Sequence, residues 1–231
     1  RTADGEIVVH HDATGLRMAG VDRRVAECTY AEIQKWNVGE RFSFGSLDRA
    51  YEAPLFRDVL ESFPNTTINV DIKQHEIDVV RDVLKLIQDC GAVERVVLNS
   101  FDAEIIKYVR RLGYPGETGV SVQDLMRLRF LPEFLLRRRV IEGDALQLPL
   151  HGEGGNGLRR WIGRRVRFDG PVMIRRAHAA GLRLDYWVVN DPDEARRILE
   201  LGADGVMTDE PDKIRDVFYE FAARSDRNVH K

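Results

Sequence analysis

From about residue 68 to the end of the chain, short apolar runs alternate with amphipathic stretches of helical period, and this alternation restricts the fold more than any other feature. Ile68 to Ile72 reads as a strand, and Glu76 to Asp89 follows as a helix with Ile77, Val80, Leu84 and Ile87 on one face. Val96 to Leu98 is the next strand, and Asp102 suits the N-cap of a helix that ends near Gly113. Gly119 to Val122, Ala145 to Leu148 and Arg183 to Val189 read as further strands. Asp191-Pro192 starts a helix that Gly202 closes, Gly205 to Met207 is the last strand, and Asp209-Glu210-Pro211 opens the terminal helix. Residues 1–12 add a strand end behind an Asp4-Gly5 turn, a hairpin signal.

Strands separated by helices pair in parallel through right-handed crossovers. About six such units and a partial one predict an α/β fold, a TIM (β/α)8 barrel lacking its first βα unit and the start of its second strand. The rival is a doubly wound open sheet, which usually carries a glycine-rich phosphate turn after its first strand; none is found in this sequence. Residues 1–231 are then a single barrel domain, incomplete at its N-terminal end.

Composition narrows the partners. Of 231 residues, 43% are hydrophobic and 32% charged, which is ample for a sizeable core, and the net charge of -3 argues against nucleic acid. Arg137-Arg138-Arg139 and the later Arg159, Arg160, Arg164, Arg165 and Arg167 are either solvated surface or a means of meeting anionic head groups at a membrane surface. Cys28 and Cys90 lack metal-ligand spacing and read as free thiols, which favours a cytoplasmic setting; an upstream signal or anchor stays open. No apolar run reaches the length of a membrane span. His151 to Asp169, glycine-rich at its start, reads as a mobile loop.

Barrel enzymes keep their chemistry at the C-terminal ends of strands, and polar residues sit there in this chain. Alternation puts Asn69, Asp71 and Lys73 on one side of their strand and Val70 and Ile72 on the other. The carboxylate can hold a hard cation and the ammonium a phosphate oxygen; alternatively the two form a strand-end salt bridge. His11 can move a proton, with Asp12 orienting it, or can be a satisfied surface histidine. Trp187 can wall a pocket or pack in the core, and Asn190 can cap the helix that follows. His75, His151, His178 and His230 show no partner spacing and read as structural or solvated.

The order of these pieces resembles the glycerophosphodiester phosphodiesterase family. Thr2 to Asp12 is similar to its T-x-D-G…V-V-x-H-D segment, and Pro54 to Leu60 to its P-x-x-x-x-V-L helix start. Asn69 to Lys73 is similar to N-[IV]-[ED]-I-K, Ser100-Phe101-Asp102 to S-F-D, and Leu146 to Pro149 to L-Q-x-P. Trp187 to Asn190 is similar to W-x-V-N, and Gly202 to Pro211 to G-x-D-G-x-x-T-D-x-P. The resemblance implies a barrel enzyme of lipid metabolism that hydrolyses glycerophosphodiesters to an alcohol and glycerol 3-phosphate, with Ca²⁺ or Mg²⁺ and two histidines as general acid and base. Carried over, His11 matches the second catalytic histidine, Asp71 a metal ligand where most members have Glu, and Lys73 the phosphate-contacting lysine. Trp187 and Asn190 match positions near the substrate. The family's first histidine and its E-x-D metal pair would lie upstream of Arg1, so residues 1–231 alone are expected to be inactive and prone to self-association. A lysophospholipase D acting on lysophospholipids, and a silent or phospholipid-binding remnant, are the alternatives.

Overall fold

The computed structural model describes residues 1–40, 49–150 and 170–229. The stretch His151 to Asp169, with its five arginines, and His230 lie outside the described residues. The chain divides into two compact units, Arg1–Thr118 and Gly119–Lys231.

In the first unit, β1 (Thr14–Gly15) and β2 (Val21–Arg24) form an antiparallel pair around the short α1 (Leu16–Ala19). Then come α2 (Tyr30–Ile33) and α3 (Phe56–Ser62). Thr29 and Glu32 close a reciprocal capping box on α2, which meets two of the amide donors a helix start leaves open. β3 (Ile68–Asp71) leads into α4 (Ile77–Asp89), β4 (Val96–Asn99) and α5 (Ala103–Arg111). β3 and β4 are parallel and in register from Ile68 opposite Val96 to Asp71 opposite Asn99, and Thr118 bridges beside Leu98.

The core here is built from the inner face of α4 against the two strands and α5, with Val80, Val83, Ile87, Leu98, Ile105 and Val109 buried together. Each such side chain stabilises by about 1.5–3 kcal/mol when taken from water. Val79, Val80, Val83 and Ile87 are the buried residues of α4, whereas Ile77 is exposed. The helical face expected from Ile77 and Leu84 is therefore rotated toward Val83, and Ile77 occupies the open first turn. Arg95 ties the start of β4 to the end of α3 by donating to the carbonyls of Leu60 at 2.7 Å and Phe63 at 3.1 Å. The Asp4-Gly5 turn forms, with Gly5 at φ 94° in the left-handed region that glycine tolerates. It opens no strand ladder as the hairpin signal suggested; beyond it Val8 makes one antiparallel bridge to Leu55.

The second unit carries α6 (Val122–Phe130), α7 (Glu133–Leu136), β5 (Ala145–Pro149), α8 (Pro171–Ala179), β6 (Arg183–Trp187), α9 (Pro192–Glu200), β7 (Gly205–Val206) and α10 (Pro211–Val229). β5, β6 and β7 are parallel neighbours in that order, and Gly119 bridges beside Ala145. The expected strand Gly119 to Val122 shrinks to that bridge. Ser121 accepts from the amide of Asp124 at 3.2 Å and so starts a helix at Val122, a capping signal that overrides the local strand propensity. Tyr186 and Leu184 are fully buried at the centre of this unit's core. At the β6–β7 pairing, a Cβ on Gly205 would stand 2.6 Å from Oδ1 of buried Asp185, so any larger residue requires the Asp185 side chain to shift. Burial pushes the Asp185 carboxyl above the usual range, against the pull of Arg183, whose Nε lies 3.2 Å from Oδ2.

Both cysteines are free, Cys28 in the interior and Cys90 half-buried. Among the described residues no helix is long and apolar enough to cross a membrane.

Candidate active site

The exit of β3 is pinned to β4. Ile72 donates its amide to Asn99 O at 2.8 Å, Ser100 Oγ donates to Ile72 O at 2.8 Å, and Asn99 Nδ2 donates to Asn69 Oδ1 at 2.5 Å. Ile72 is buried and Val70 packs on the same core, so the alternation leaves Asp71 and Lys73 on the other side, as the period-two pattern predicts. Lys73 Nζ donates to Asp71 Oδ2 at 2.6 Å and lies 5.1 Å from the centroid of the Phe101 ring. Thus the salt bridge considered for this pair does form. The second oxygen of the carboxylate is different: Asp71 Oδ1 is buried and has no hydrogen-bond partner. A buried polar atom left in that state costs about 1–3 kcal/mol, more if charged, and it is the atom of this site that most needs a ligand.

His11 is exposed, and its Nδ1 lies 2.6 Å from Asp12 Oδ1. Arg17 donates Nε to Asp12 Oδ2 at 2.5 Å and a terminal nitrogen to Oδ1 at 3.1 Å. Arg17 first, and His11 after it, hold the Asp12 carboxyl down to about 2. An ionised Asp12 accepts the Nδ1 proton of His11 and leaves Nε2 to exchange a proton elsewhere. His10 turns another way. Its Nδ1 donates to Asp12 O at 2.8 Å, its ring stands edge-on to Trp36 at 6.1 Å, and its Nε2 is buried without a hydrogen-bond partner.

His11, Asp12, Asp71 and Lys73 line one cavity of about 490 Å³ in the first unit. His75 lines it too, with Nδ1 2.8 Å from Asp102 Oδ2. From sequence His75 reads as structural or solvated; the structure gives it a carboxylate partner and a place in the cavity lining. The available signal was its place two residues beyond Lys73, together with an N-cap aspartate at the next strand's exit. Asp102 does both jobs, since its Oδ1 accepts from the amide of Glu104 at 2.9 Å.

A cation of the Ca²⁺ or Mg²⁺ kind takes six or more oxygens. Asp71 Oδ1 suits one such position, but among the described residues no three His, Cys, Asp or Glu side chains are placed to hold a metal ion. These residues alone therefore do not fit a complete cation site.

Trp187 and Asn190 belong to the second unit, at and just beyond the end of β6. Asn190 Oδ1 accepts from Thr208 Oγ1 and from the amide of Asp209, both at 2.9 Å, tying the exit of β6 to that of β7. Asn190 does not cap the following helix. Asp191 does, accepting from the amides of Asp193 and Glu194 at 2.9 Å, because it stands directly before Pro192.

Parallel strands alternating with helices, with Asp71 and Lys73 at the exit of β3, fit the layout of a barrel enzyme. The model of the glycerophosphoryl diester phosphodiesterase family matches residues 1–213, and the chain belongs to that family. It is similar to lysophospholipase D GDPD1 of Homo sapiens, with 26% identity over 244 residues, 96% of this chain and 76% of the human protein. Among solved structures it is similar to glycerophosphodiester phosphodiesterase from Agrobacterium tumefaciens, with TM-score 0.70 and 18% identity over 95% of this chain and 83% of that one. It is likewise similar to an Oleispira antarctica phosphodiesterase in complex with the product sn-glycerol-3-phosphate, with TM-score 0.67 and 14% identity over 94% and 81% of the two chains. These structural likenesses are of fold, and they bear out the barrel class read from the alternation.

Proposed function

We propose that the protein hydrolyses glycerophosphodiesters to an alcohol and glycerol 3-phosphate, with the cavity of the first unit as its active site. The observation that carries this reading is that the His11–Asp12 pair and the Asp71–Lys73 pair line the same cavity. A phosphodiester is an anion, so it repels a nucleophile until its charge is met. Lys73 Nζ, exchanging its contact with Asp71 for a non-bridging phosphate oxygen, meets part of that charge and more of it in the transition state. His11, oriented through Nδ1 by Asp12, either takes the proton of the attacking water or gives one to the departing alkoxide at Nε2. Trp187 and Asn190 are carried by the resemblance alone as substrate-contact candidates, and no role in this cavity is assigned to them. The cation implied by the resemblance, Ca²⁺ or Mg²⁺, would activate and hold the phosphate when bound, taking Asp71 Oδ1 as one ligand. The relation to a human lysophospholipase D makes a lysophospholipid a second candidate substrate. We take residues 1–231 as one barrel domain, so a single calorimetric transition is expected and two would refute it.

The test is product release from glycerophosphocholine and lysophosphatidylcholine by the native-length protein, with and without EDTA. Glycerol 3-phosphate, or lysophosphatidate, that disappears with EDTA is the expected result. A folded protein that cleaves neither overturns the reading.

A second reading rests on the want of three metal-capable side chains among the described residues. In it, residues 1–231 by themselves bind a phosphodiester without cleaving it. Glycerol 3-phosphate binding that is lost in Lys73→Ala, with no turnover by residues 1–231, would favour it.

A further inference from the structure

Helix α6 carries apolar side chains on two sides. Leu128 is fully buried and Leu125 packs against the core of the second unit. Val122, Met126 and Phe130 recur at every fourth position, so they share one stripe on the other side, and they are 60%, 52% and 71% exposed. Phe134 of α7 is 63% exposed. At 100° per residue, Arg127 falls on one flank of the stripe and Arg129 on the other, with the Arg129 guanidinium 5.7 Å from the centre of the Phe130 ring. Arg137, Arg138 and Arg139 follow α7, all exposed.

The charge around this stripe is one-sided. Residues 122–140 hold five arginines and only two carboxylates, Asp124 and Glu133. Asp124 is buried and engaged by Arg127 at 3.0 Å, and Glu133 by Arg137 at 3.2 Å and Arg175 at 3.4 Å. An apolar row flanked by arginines, with its few acids already paired, is complementary to a surface that is apolar below and anionic above. A second copy meeting this face with its own would set arginine against arginine, which disfavours a symmetric dimer.

We propose that the outer face of α6 and α7 docks on an anionic phospholipid surface. Phe130, Phe134, Met126 and Val122 enter the boundary between head groups and acyl chains, and the arginines bind head-group phosphates. The proposal deepens the lipid-substrate reading above, on which the choice of partner partly rests. Its test reads binding without turnover, so the two fail separately.

The experiment is co-sedimentation of the native-length protein with phosphatidylcholine vesicles with and without phosphatidylserine. Binding that needs phosphatidylserine and weakens with added salt is expected. The double variant Phe130→Ser/Phe134→Ser should bind at least about tenfold more weakly, since two aromatic side chains no longer enter the bilayer boundary. Arg129→Gln/Arg138→Gln should also bind phosphatidylserine vesicles more weakly, by about tenfold. All replaced residues are exposed, and an unchanged thermal midpoint confirms the fold. Absence of vesicle binding, or binding equal in the variants, overturns the proposal. So does lipid-free self-association that the Phe130→Ser/Phe134→Ser change abolishes, which would assign the face to a second copy of the chain.

Discussion

The exits of β3 and β6 both carry polar side chains, yet the fold uses them differently. At β6, Asn190 Oδ1 is satisfied twice from within the protein, by Thr208 and Asp209. At β3, Asp71 has one oxygen on Lys73 and one buried oxygen with no partner, and the strand end lines a cavity. A polar atom already engaged by the fold has little left for a ligand, whereas an unengaged one makes the ligand part of the stable state. The comparison therefore leaves the first exit open to a ligand, in keeping with the proposed function, while the polar groups of the second are engaged by the fold.

The largest effect should fall on the cavity. In the native-length protein, His11→Ala is expected to lower kcat about 10²–10⁴-fold with its thermal midpoint kept, and Lys73→Ala to lower kcat/KM about 10²–10³-fold with the fold kept. Steady-state kinetics beside calorimetry checks this. Full activity of Lys73→Ala would break the contrast between the two strand ends.

Next comes the β6–β7 pairing. Gly205→Ala forces a methyl group against Asp185 and should destabilise by about 1–3 kcal/mol in denaturant unfolding. An unchanged midpoint would mean that Asp185 can move aside at no cost. Asn190→Ala removes an acceptor shared by two donors and should destabilise by about 1–2 kcal/mol, with a smaller loss of kcat than Lys73→Ala. If Asn190→Ala abolishes turnover at unchanged stability, the β6 exit is chemical as well.

The smallest effect concerns acid. The Asp12 carboxyl is held down to about 2 in the folded protein, below its ordinary value of 3.8. Its charge, held above all by Arg17, therefore contributes stability that is present above about pH 4 and lost as pH falls toward 2. The difference in thermal midpoint between the native protein and Asp12→Asn should be flat above pH 4 and shrink below it. A difference that persists at pH 2 would place the effect elsewhere than in the charge.

Most strands and helix starts were readable because their signals are local; Gly119 to Val122, where the Ser121 cap starts a helix, was not. Asp102 and Asp191 cap the helices they precede, and Val96 to Leu98 is apolar throughout, as a strand covered on both faces should be. Asn69, Asp71 and Lys73 were readable as a shared face for the same reason. What the sequence hid depends on distant partners. Ile77 fits a helical stripe but lies outside the packed part of α4. His75 has meaning only once Asp102, 27 residues away, stands 2.8 Å from it. The unpartnered oxygen of Asp71 belongs to no motif; it is a property of the surroundings.

Asp12 gathers two imidazoles by two different groups, its side chain for His11 and its main chain for His10. A change of side chain at position 12 therefore reaches one ring and leaves the other's tautomer set by the peptide group. Nitrogen-15 spectra of the two rings would register that division directly, making this aspartate a handle for telling the two imidazoles apart.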